Sequence, residues 1–188
     1  YINKQDRLSA NKYLTSFAKL IRKNLDSSAS GNVVSLTEEL ERLELYLTLE
    51  NMRFQNKFTY EIIIDDEVDT EAVKIPPMLL QPYVENSIWH GILPMDKPGH
   101  ITIRIYPEDH FVAIKITDNG IGINTSIKTK QTEGSDHVSR GIEITSGRLE
   151  VLKKLTNENL QIKGPYDLHQ NGSETQGTEV ILELPNRQ

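Results

Sequence analysis

A single carboxylate set among glycines is the part of this sequence best suited to chemistry. The run DNGIGI, from Asp118 to Ile123, follows an alternating apolar stretch, which predicts that Asp118 lies where a strand ends and a loop begins. There a carboxylate can accept a hydrogen bond from an adenine amino group, and Gly120 and Gly122 let the backbone pass close to a purine. A guanine would present a carbonyl, which a carboxylate repels. Because Asp-Asn-Gly is also typical of plain surface turns, the fragment alone leaves both interpretations open.

A predicted helix over residues 78–92 carries a second group of polar residues. At about 3.6 residues per turn, the polar side of this helix holds Glu85, Asn86, Trp89 and His90. Asn86 and His90, at i and i+4, are predicted to point in nearly the same direction and to meet the same ligand. The amide oxygen of Asn86 suits Mg²⁺, and Glu85 is placed to act as a base near a terminal phosphate. A solvated helix face is the alternative interpretation.

An anion site is predicted where Ser139-Arg140-Gly141-Ile142 precedes a predicted helix over residues 142–155. Backbone N–H groups at a helix start, aided by the helix dipole, favour phosphates, and Arg140 can add positive charge. Taken singly, Gly141 is equally an ordinary turn glycine and Arg140 a solvated charge. The sequence contains neither GxxxxGKS nor GxxxxGKT, which excludes a Walker-type phosphate loop.

Composition limits the class of protein. With 188 residues, 37% hydrophobic and 26% charged, the chain has an ordinary globular composition. The net charge of -6 and the lack of Lys and Arg clusters argue against a nucleic-acid partner. The absence of cysteine excludes disulfides and thiolate metal sites and fits a reducing cytoplasm. No stretch is long and apolar enough to span a bilayer, and the chain starts at Tyr1 inside a predicted helix, so we expect a fragment of a longer protein.

Two consecutive helices are predicted at the start of the chain. Apolar residues at spacings of three and four from Leu14 to Leu25 mark the first helix, and the polar run from Asp26 to Asn32 ends it. The second is predicted to begin at Ser35 or Thr37, with glutamates placed for a capping box, and to end near Phe54. A polar hinge between them predicts a helical hairpin, which either dimerises or packs only on its own domain.

The rest of the chain alternates strands with two further helices. Strands are predicted at residues 58–64, 100–106, 111–117, 160–163 and 178–184, and the polar stretch 124–139 is predicted to be a mobile loop. Segregated helices and strands predict an α+β fold, a two-layer α/β sandwich with a mixed sheet and helices on one face, preceded by the helical hairpin.

Four segments in order resemble the ATP-binding, or Bergerat, fold of the GHKL superfamily, which includes gyrase, Hsp90, histidine kinases and MutL. They are IPPMLLQPYVENSIWHGI, DNGIGI, SRGIEITSGRLEVL and GTEVILELP. The lead-in PPMLLQP, together with the upstream helix LTEELERLELYLTLENMRF, resembles the LytS/YehU-type sensor histidine kinases specifically. The resemblance covers nearly the whole chain.

Site residues follow from this resemblance. Glu85 and Asn86 match the family's N box, which implies that Asn86 is a Mg²⁺ ligand and that Glu85 assists proton removal. Asp118, Gly120 and Gly122 match the box that binds adenine.

Two further boxes complete the implied nucleotide site. Gly141 matches the start of the phosphate-facing glycine box, and Gly177 with Thr178 resembles the last short motif beside the adenine pocket. The stretch 124–139 would then be a lid that orders around ATP.

Three departures from the family pattern stand out. Trp89 replaces a frequent lysine, so a phosphate contact is missing or is supplied by His90 or Arg140. Glu143 stands where a second glycine is common. The phosphoacceptor histidine of a PHFLFN-like helix is absent, because none of the five histidines lies on the two leading helices.

The resemblance implies that residues 56–188 are the catalytic and ATP-binding domain of a two-component sensor histidine kinase. Residues 1–55 would be what remains of its dimerisation and phosphotransfer helices. The implied ligands are ATP and Mg²⁺, and the implied partners are a second copy of the intact protein and a response regulator, reached through a histidine outside this chain. We expect a cytoplasmic domain of an inner-membrane sensor, without direct membrane contact by this chain.

Two other functions remain open at this point. In an ATP hydrolase of the gyrase or MutL kind, Glu85 would activate water. In a non-catalytic binding module, Trp89 and Glu143 would mark a degenerate pocket.

Overall fold

A computed structural model describes residues 4–29, 33–123, 160–170 and 174–185. They divide into two compact units, one built from residues up to 56 with 70–79 and the other from residues 57–69 with those from 80 onward. The expected lid 124–139, the predicted helix 142–155 and the candidates Arg140 and Gly141 lie outside the described residues. No helix within the described ranges has the length and apolar character needed to cross a membrane.

The first unit contains the predicted helical hairpin, formed by α1 (Lys4–Ala29) and α2 (Leu36–Arg53). The polar run from Asp26 to Asn32 was predicted to end the first helix, and the helix continues into this run as far as Ala29. The predicted capping box is confirmed at Ser35, whose hydroxyl accepts a hydrogen bond from the Glu38 backbone N–H at 3.2 Å while Glu38 Oε2 accepts from the Ser35 N–H at 2.9 Å. This contact with the Ser35 backbone holds the pKa of Glu38 below its ordinary value.

A short ladder that the sequence did not predict ties residues 70–79 to α2. Strand β1 (Val34–Ser35) pairs antiparallel with β3 (Lys74–Ile75), and the Leu36 N–H donates to the Val73 carbonyl at 2.8 Å. Two-residue strands are too short to show hydrophobic alternation, so they cannot be predicted from the sequence pattern.

A buried ion pair holds the end of the same segment. Glu39 Oε2 accepts hydrogen bonds from Arg42 Nη1 at 2.8 Å and from the Met78 backbone N–H at 2.9 Å, and both charged residues are at most 3% exposed. Met78 has a left-handed backbone with φ of 61°. Because an α-helix cannot start through that conformation, the predicted helix start at 78 is wrong, and the helix begins at Gln81.

The second unit is built on a five-stranded sheet in the order β2-β4-β5-β7-β6. Its strands are β2 (Phe58–Ile64), β4 (Gly99–Glu108), β5 (Phe111–Asp118), β6 (Gln161–Gln170) and β7 (Glu174–Pro185). Strands β2 and β4 are parallel and the other pairs antiparallel, so the predicted mixed sheet and the predicted β4–β5 hairpin are confirmed. Strand β6 runs seven residues past the predicted end at 163, which makes the last hairpin a long arm.

One helix lies on the apolar face of this sheet and completes the predicted sandwich. Helix α3 (Gln81–Asn86) continues as a π-helical segment (Ser87–Ile92), in which the Leu93 N–H donates to the Ile88 carbonyl at 2.9 Å. The segment contacts β4, β5 and β7. The fully buried side chains of this layer, which remove most apolar surface from water, are Val84, Ile88, Ile92, Ile101, Ile103, Ile105, Ile114 and Leu182.

Replacing Glu39 with alanine is expected to destabilise the first unit strongly. The substitution leaves the Arg42 charge buried and removes the acceptor of the Met78 amide, a loss of about 3–5 kcal/mol. Glu41→Ala on the same helix is the matched control, since its ion pair with Lys23 is exposed and is worth about 0–1 kcal/mol. Urea unfolding of both variants measures the difference, and equal losses would contradict the structural role of Glu39.

Candidate functional site

The carboxylate of Asp118 lies at the end of β5 and is only 3% exposed. Its Oδ1 accepts from the Gly120 N–H at 2.8 Å and from the Thr178 N–H at 3.3 Å. Its Oδ2 accepts from the hydroxyls of Ser87 at 2.8 Å and Thr178 at 2.5 Å. Burial raises the pKa of Asp118, and the four hydrogen bonds oppose that rise. The side chain is therefore fixed in one orientation by donors from three segments.

Two glycines let the helix and the loop after β5 approach closely. The Ile121 N–H donates to the Gly91 carbonyl at 3.0 Å. A Cβ atom on Gly120 would lie 2.5 Å from the Gly91 Cα and 2.7 Å from Asp118 Oδ1, distances that no side chain can occupy. Glycine at 120 is thus required for the backbone of the loop to rest on the backbone of the π-helical segment.

A third glycine brings β7 against the same loop. Gly177 has a φ of 113°, and a Cβ there would lie 1.8 Å from the Asp118 carbonyl oxygen. Thr178, the next residue, then directs both its N–H and its hydroxyl at the carboxylate. On the loop itself, Gly122 has a φ of 79°, a conformation that residues with side chains rarely adopt.

The polar side of the helix is only partly as predicted. Glu85 and Asn86 are half-buried and Trp89 and His90 are exposed, as expected for the predicted polar side of the helix. Glu85 Oε1 accepts from Gln81 Nε2 at 2.7 Å. The π-helical segment begins immediately after Asn86, and its i to i+5 bonding means that four residues do not complete a turn. That Asn86 and His90 share one direction therefore stays a prediction.

Three residues that contact the loop had no predicted role. Ser87 and Gly91 lie on the apolar side of the helix among larger residues. Their small size is the only feature of the sequence that could have indicated a close contact there. Asp167 lies beyond the predicted end of β6, and its Oδ1 accepts from the Ile123 N–H at 2.5 Å. Nothing in its local sequence pattern indicates this contact.

The structure thus brings four of the candidate residues together. Asp118, Gly120, Gly177 and Thr178 lie in direct contact around the carboxylate, and Ser87 joins them to the helix that carries Glu85 and Asn86. A carboxylate held at the edge of a glycine-lined loop can accept a hydrogen bond from an amino group of a planar base.

Family profiles match most of the chain. Residues 77–188 match the family described as "Histidine kinase-, DNA gyrase B-, and HSP90-like ATPase", and residues 1–58 match the family described as "Histidine kinase". Sensor protein LytS of Oceanobacillus iheyensis is 37% identical over 122 residues, which cover 65% of this chain and 20% of that protein. Sensor protein LytS of Streptococcus agalactiae serotype V is 30% identical over 154 residues, 82% of this chain and 25% of that protein. The chain therefore spans about a fifth to a quarter of the length of these relatives.

Among solved structures, the histidine kinase domain of the blue-light activated histidine kinase of Erythrobacter litoralis EL346 has a similar fold. The TM-score is 0.51 at 15% sequence identity, over 95% of this chain and 75% of that one. The predicted fold class and the predicted resemblance are confirmed. The chain belongs to the histidine kinase-, DNA gyrase B- and HSP90-like ATPase family, and within it to the histidine kinases that resemble LytS.

Proposed function

We propose that this chain is the ATP-binding catalytic part of a sensor histidine kinase. The observation that carries the proposal is the buried Asp118 carboxylate, which joins the Ser87 helix, the Thr178 strand and the glycine loop at one point. Residues 56–188 are assigned to the catalytic domain and residues 1–55 to part of the dimerisation and phosphotransfer helices. The two family matches support this division, and the two compact units agree with it except that residues 70–79 pack with the first unit.

Adenine recognition is assigned to Asp118, with Gly120 and Gly122 giving the base room beside the backbone. The four donors around the carboxylate occupy all of its lone pairs. Two of these donors are hydroxyls, whose hydrogens rotate freely. Ser87 or Thr178 can therefore release one lone pair to an incoming amino group, while the backbone donors keep the carboxylate in place.

Phosphate handling is assigned to the half-buried end of α3. Asn86 offers one neutral oxygen, which fits Mg²⁺ because this ion keeps several waters and phosphate oxygens and needs few protein ligands. When bound, the ion supplies charge neutralisation for the phosphates. Gly141 is a proposed phosphate contact because it matches the family's glycine box, and His90 and Arg140 are proposed to replace the contact of the family's lysine.

Glu85 is assigned the role of a base that assists proton removal from the acceptor. Its neighbour Gln81 holds the carboxylate through a 2.7 Å hydrogen bond, which fixes the rotamer of Glu85. Phosphoryl transfer depends mainly on positioning and charge neutralisation, so a single oriented base is sufficient.

The phosphoacceptor is proposed to lie outside this chain. Residues 1–58 match the histidine kinase family yet contain no histidine. A histidine on a further helix of the parent protein would receive the γ-phosphate and pass it to an aspartate of a response regulator. We place the catalytic part in the cytoplasm, where ATP and such a regulator are found, as a domain of a membrane sensor.

A homodimer is proposed to form through α1. Leu14, Phe17 and Ile21 repeat at spacings of three and four and are 62%, 46% and 43% exposed, an apolar stripe of the kind found in coiled-coil seams.

Labelled ATP tests the proposed activity. We expect the 188-residue chain to bind ATP with Mg²⁺ and to release little phosphate, and a protein extended to include the histidine-bearing helix to acquire acid-labile label. Rapid phosphate release without an acceptor would favour the hydrolase. A fluorescent ATP analogue that fails to bind with or without Mg²⁺ would leave only the non-catalytic module.

Asp118→Asn is expected to weaken binding of the ATP analogue by about 1–3 kcal/mol, because a charge-assisted hydrogen bond is lost. Asp109→Asn, an exposed substitution in the turn at the other end of β5, is the control and should bind normally.

Burial raises the pKa of Asp118, so its carboxylate takes up a proton at a higher pH than an ordinary aspartate does. Affinity should therefore fall as the pH is lowered, and the Asp118→Asn variant should lose this part of the pH dependence. An unchanged affinity in Asp118→Asn would contradict the assignment.

Glu85→Gln is expected to keep ATP affinity and to slow phosphoryl transfer in the extended protein by roughly 100-fold or more, the usual contribution of a general base. Glutamine keeps the oxygen that accepts from Gln81, so the helix should not change. Glu108→Gln at the exposed end of β4 is the control. Transfer at the normal rate in Glu85→Gln would remove Glu85 from the mechanism.

Phe17→Glu is expected to shift the protein toward a monomer in light scattering, because a charge in an apolar seam must be desolvated. Lys19→Glu changes charge on the same helix outside the stripe and should leave assembly unaltered. A dimer that persists in Phe17→Glu at the same concentration would assign dimerisation to another surface.

A further inference from the structure

The loop from Asp118 to Ile123 is anchored at its start, middle and end. The start is held by the hydroxyls of Ser87 and Thr178, and the middle by the bond from the Ile121 N–H to the helix carbonyl of Gly91 at 3.0 Å. The end is held by Asp167, whose Oδ1 accepts from the Ile123 N–H at 2.5 Å. The first two anchors surround the assigned adenine carboxylate, whereas the third comes from a different strand and has no role so far.

Asp167 on β6 and Thr178 on β7 are directly opposite each other in the strand register. This one pair of residues therefore contacts both ends of the loop, Thr178 at Asp118 and Asp167 at Ile123. The register shifts on both sides of Asp167, between 163 and 166 and between 167 and 169. Such irregularities re-aim side chains that regular alternation would direct elsewhere.

We propose that Asp167 is a positioning residue for nucleotide binding, a role that deepens the proposed function and rests on it. Its carboxylate fixes the amide of Ile123 and thereby the left-handed turn at Gly122, where φ is 79°. That turn is the backbone which passes beside the base. Asp167 acts through Ile123 and does not touch the nucleotide.

The expected effect is on affinity and not on the transfer step. Without the anchor, the end of the loop samples more conformations, and binding must order it again at an entropic cost. The contact requires an acceptor atom and not a negative charge. Asparagine carries the same Oδ1 and should therefore restore the contact, whereas alanine cannot.

The test compares Asp167→Ala, Asp167→Asn and the control Glu179→Ala in the 188-residue chain. Glu179 lies on β7 opposite Tyr166 and pairs with Lys115 at 2.5 Å, so its removal perturbs the arm without touching the loop. Binding of the fluorescent ATP analogue with Mg²⁺ is measured alongside amide hydrogen exchange at Ile123. Asp167→Val, which suits a strand, replaces the alanine variant if that variant does not fold.

We expect Asp167→Ala to raise the dissociation constant roughly tenfold and to speed exchange at Ile123, with Asp167→Asn and Glu179→Ala close to the unaltered chain. Normal affinity in Asp167→Ala despite faster exchange would overturn the proposal, as would an asparagine variant as weak as the alanine variant. If the unaltered chain binds no nucleotide, the proposed function fails and the positioning role fails with it. Affinity that is normal in the unaltered chain and in Asp167→Ala rejects the role of Asp167 alone.

Discussion

The candidate site depends on one buried carboxylate, whose two oxygens accept four hydrogen bonds from the protein groups around it. An ionised group that is 3% exposed is costly unless every lone pair has a partner. For Asp118, these partners come from the helix, the last strand and the loop after β5. Burial of the charge therefore constrains the geometry of the site, because moving any of the three segments would remove at least one of the four hydrogen bonds to the carboxylate.

The close approach of the three segments is the second condition, and small residues supply it. Gly91, Gly120 and Gly177 each lie where a Cβ would meet backbone or carboxylate atoms at 3.0 Å or less. At this place the helix departs from α-helical geometry and forms a π-helical segment, and such segments are frequent at functional sites. Within this segment, the Ser87 hydroxyl donates to Asp118 and the Gly91 carbonyl accepts from Ile121, so two of its residues contact the same loop.

Much of the fold follows from the sequence because its signals are local and periodic. The capping box at Ser35, the β4–β5 hairpin and the strand that delivers Asp118 all have short-range patterns, and the structure has them where they were predicted. The π-helical segment, the left-handed Met78 and the contact of Asp167 with Ile123 depend on residues far apart in the chain. No pattern within one window carries that information. For the same reason, the residue types at the site indicated a purine nucleotide, while the residues that orient them emerged only from the contacts.

A crystal structure with Mg²⁺ and a non-hydrolysable ATP analogue would show whether the base binds at the Asp118 carboxylate. We expect an adenine amino group about 2.7–3.2 Å from the Asp118 carboxylate, with the phosphates toward the Asn86 end of the helix. A nucleotide bound elsewhere, or one whose base leaves all four donors of Asp118 in place and faces away from the carboxylate, would contradict this expectation.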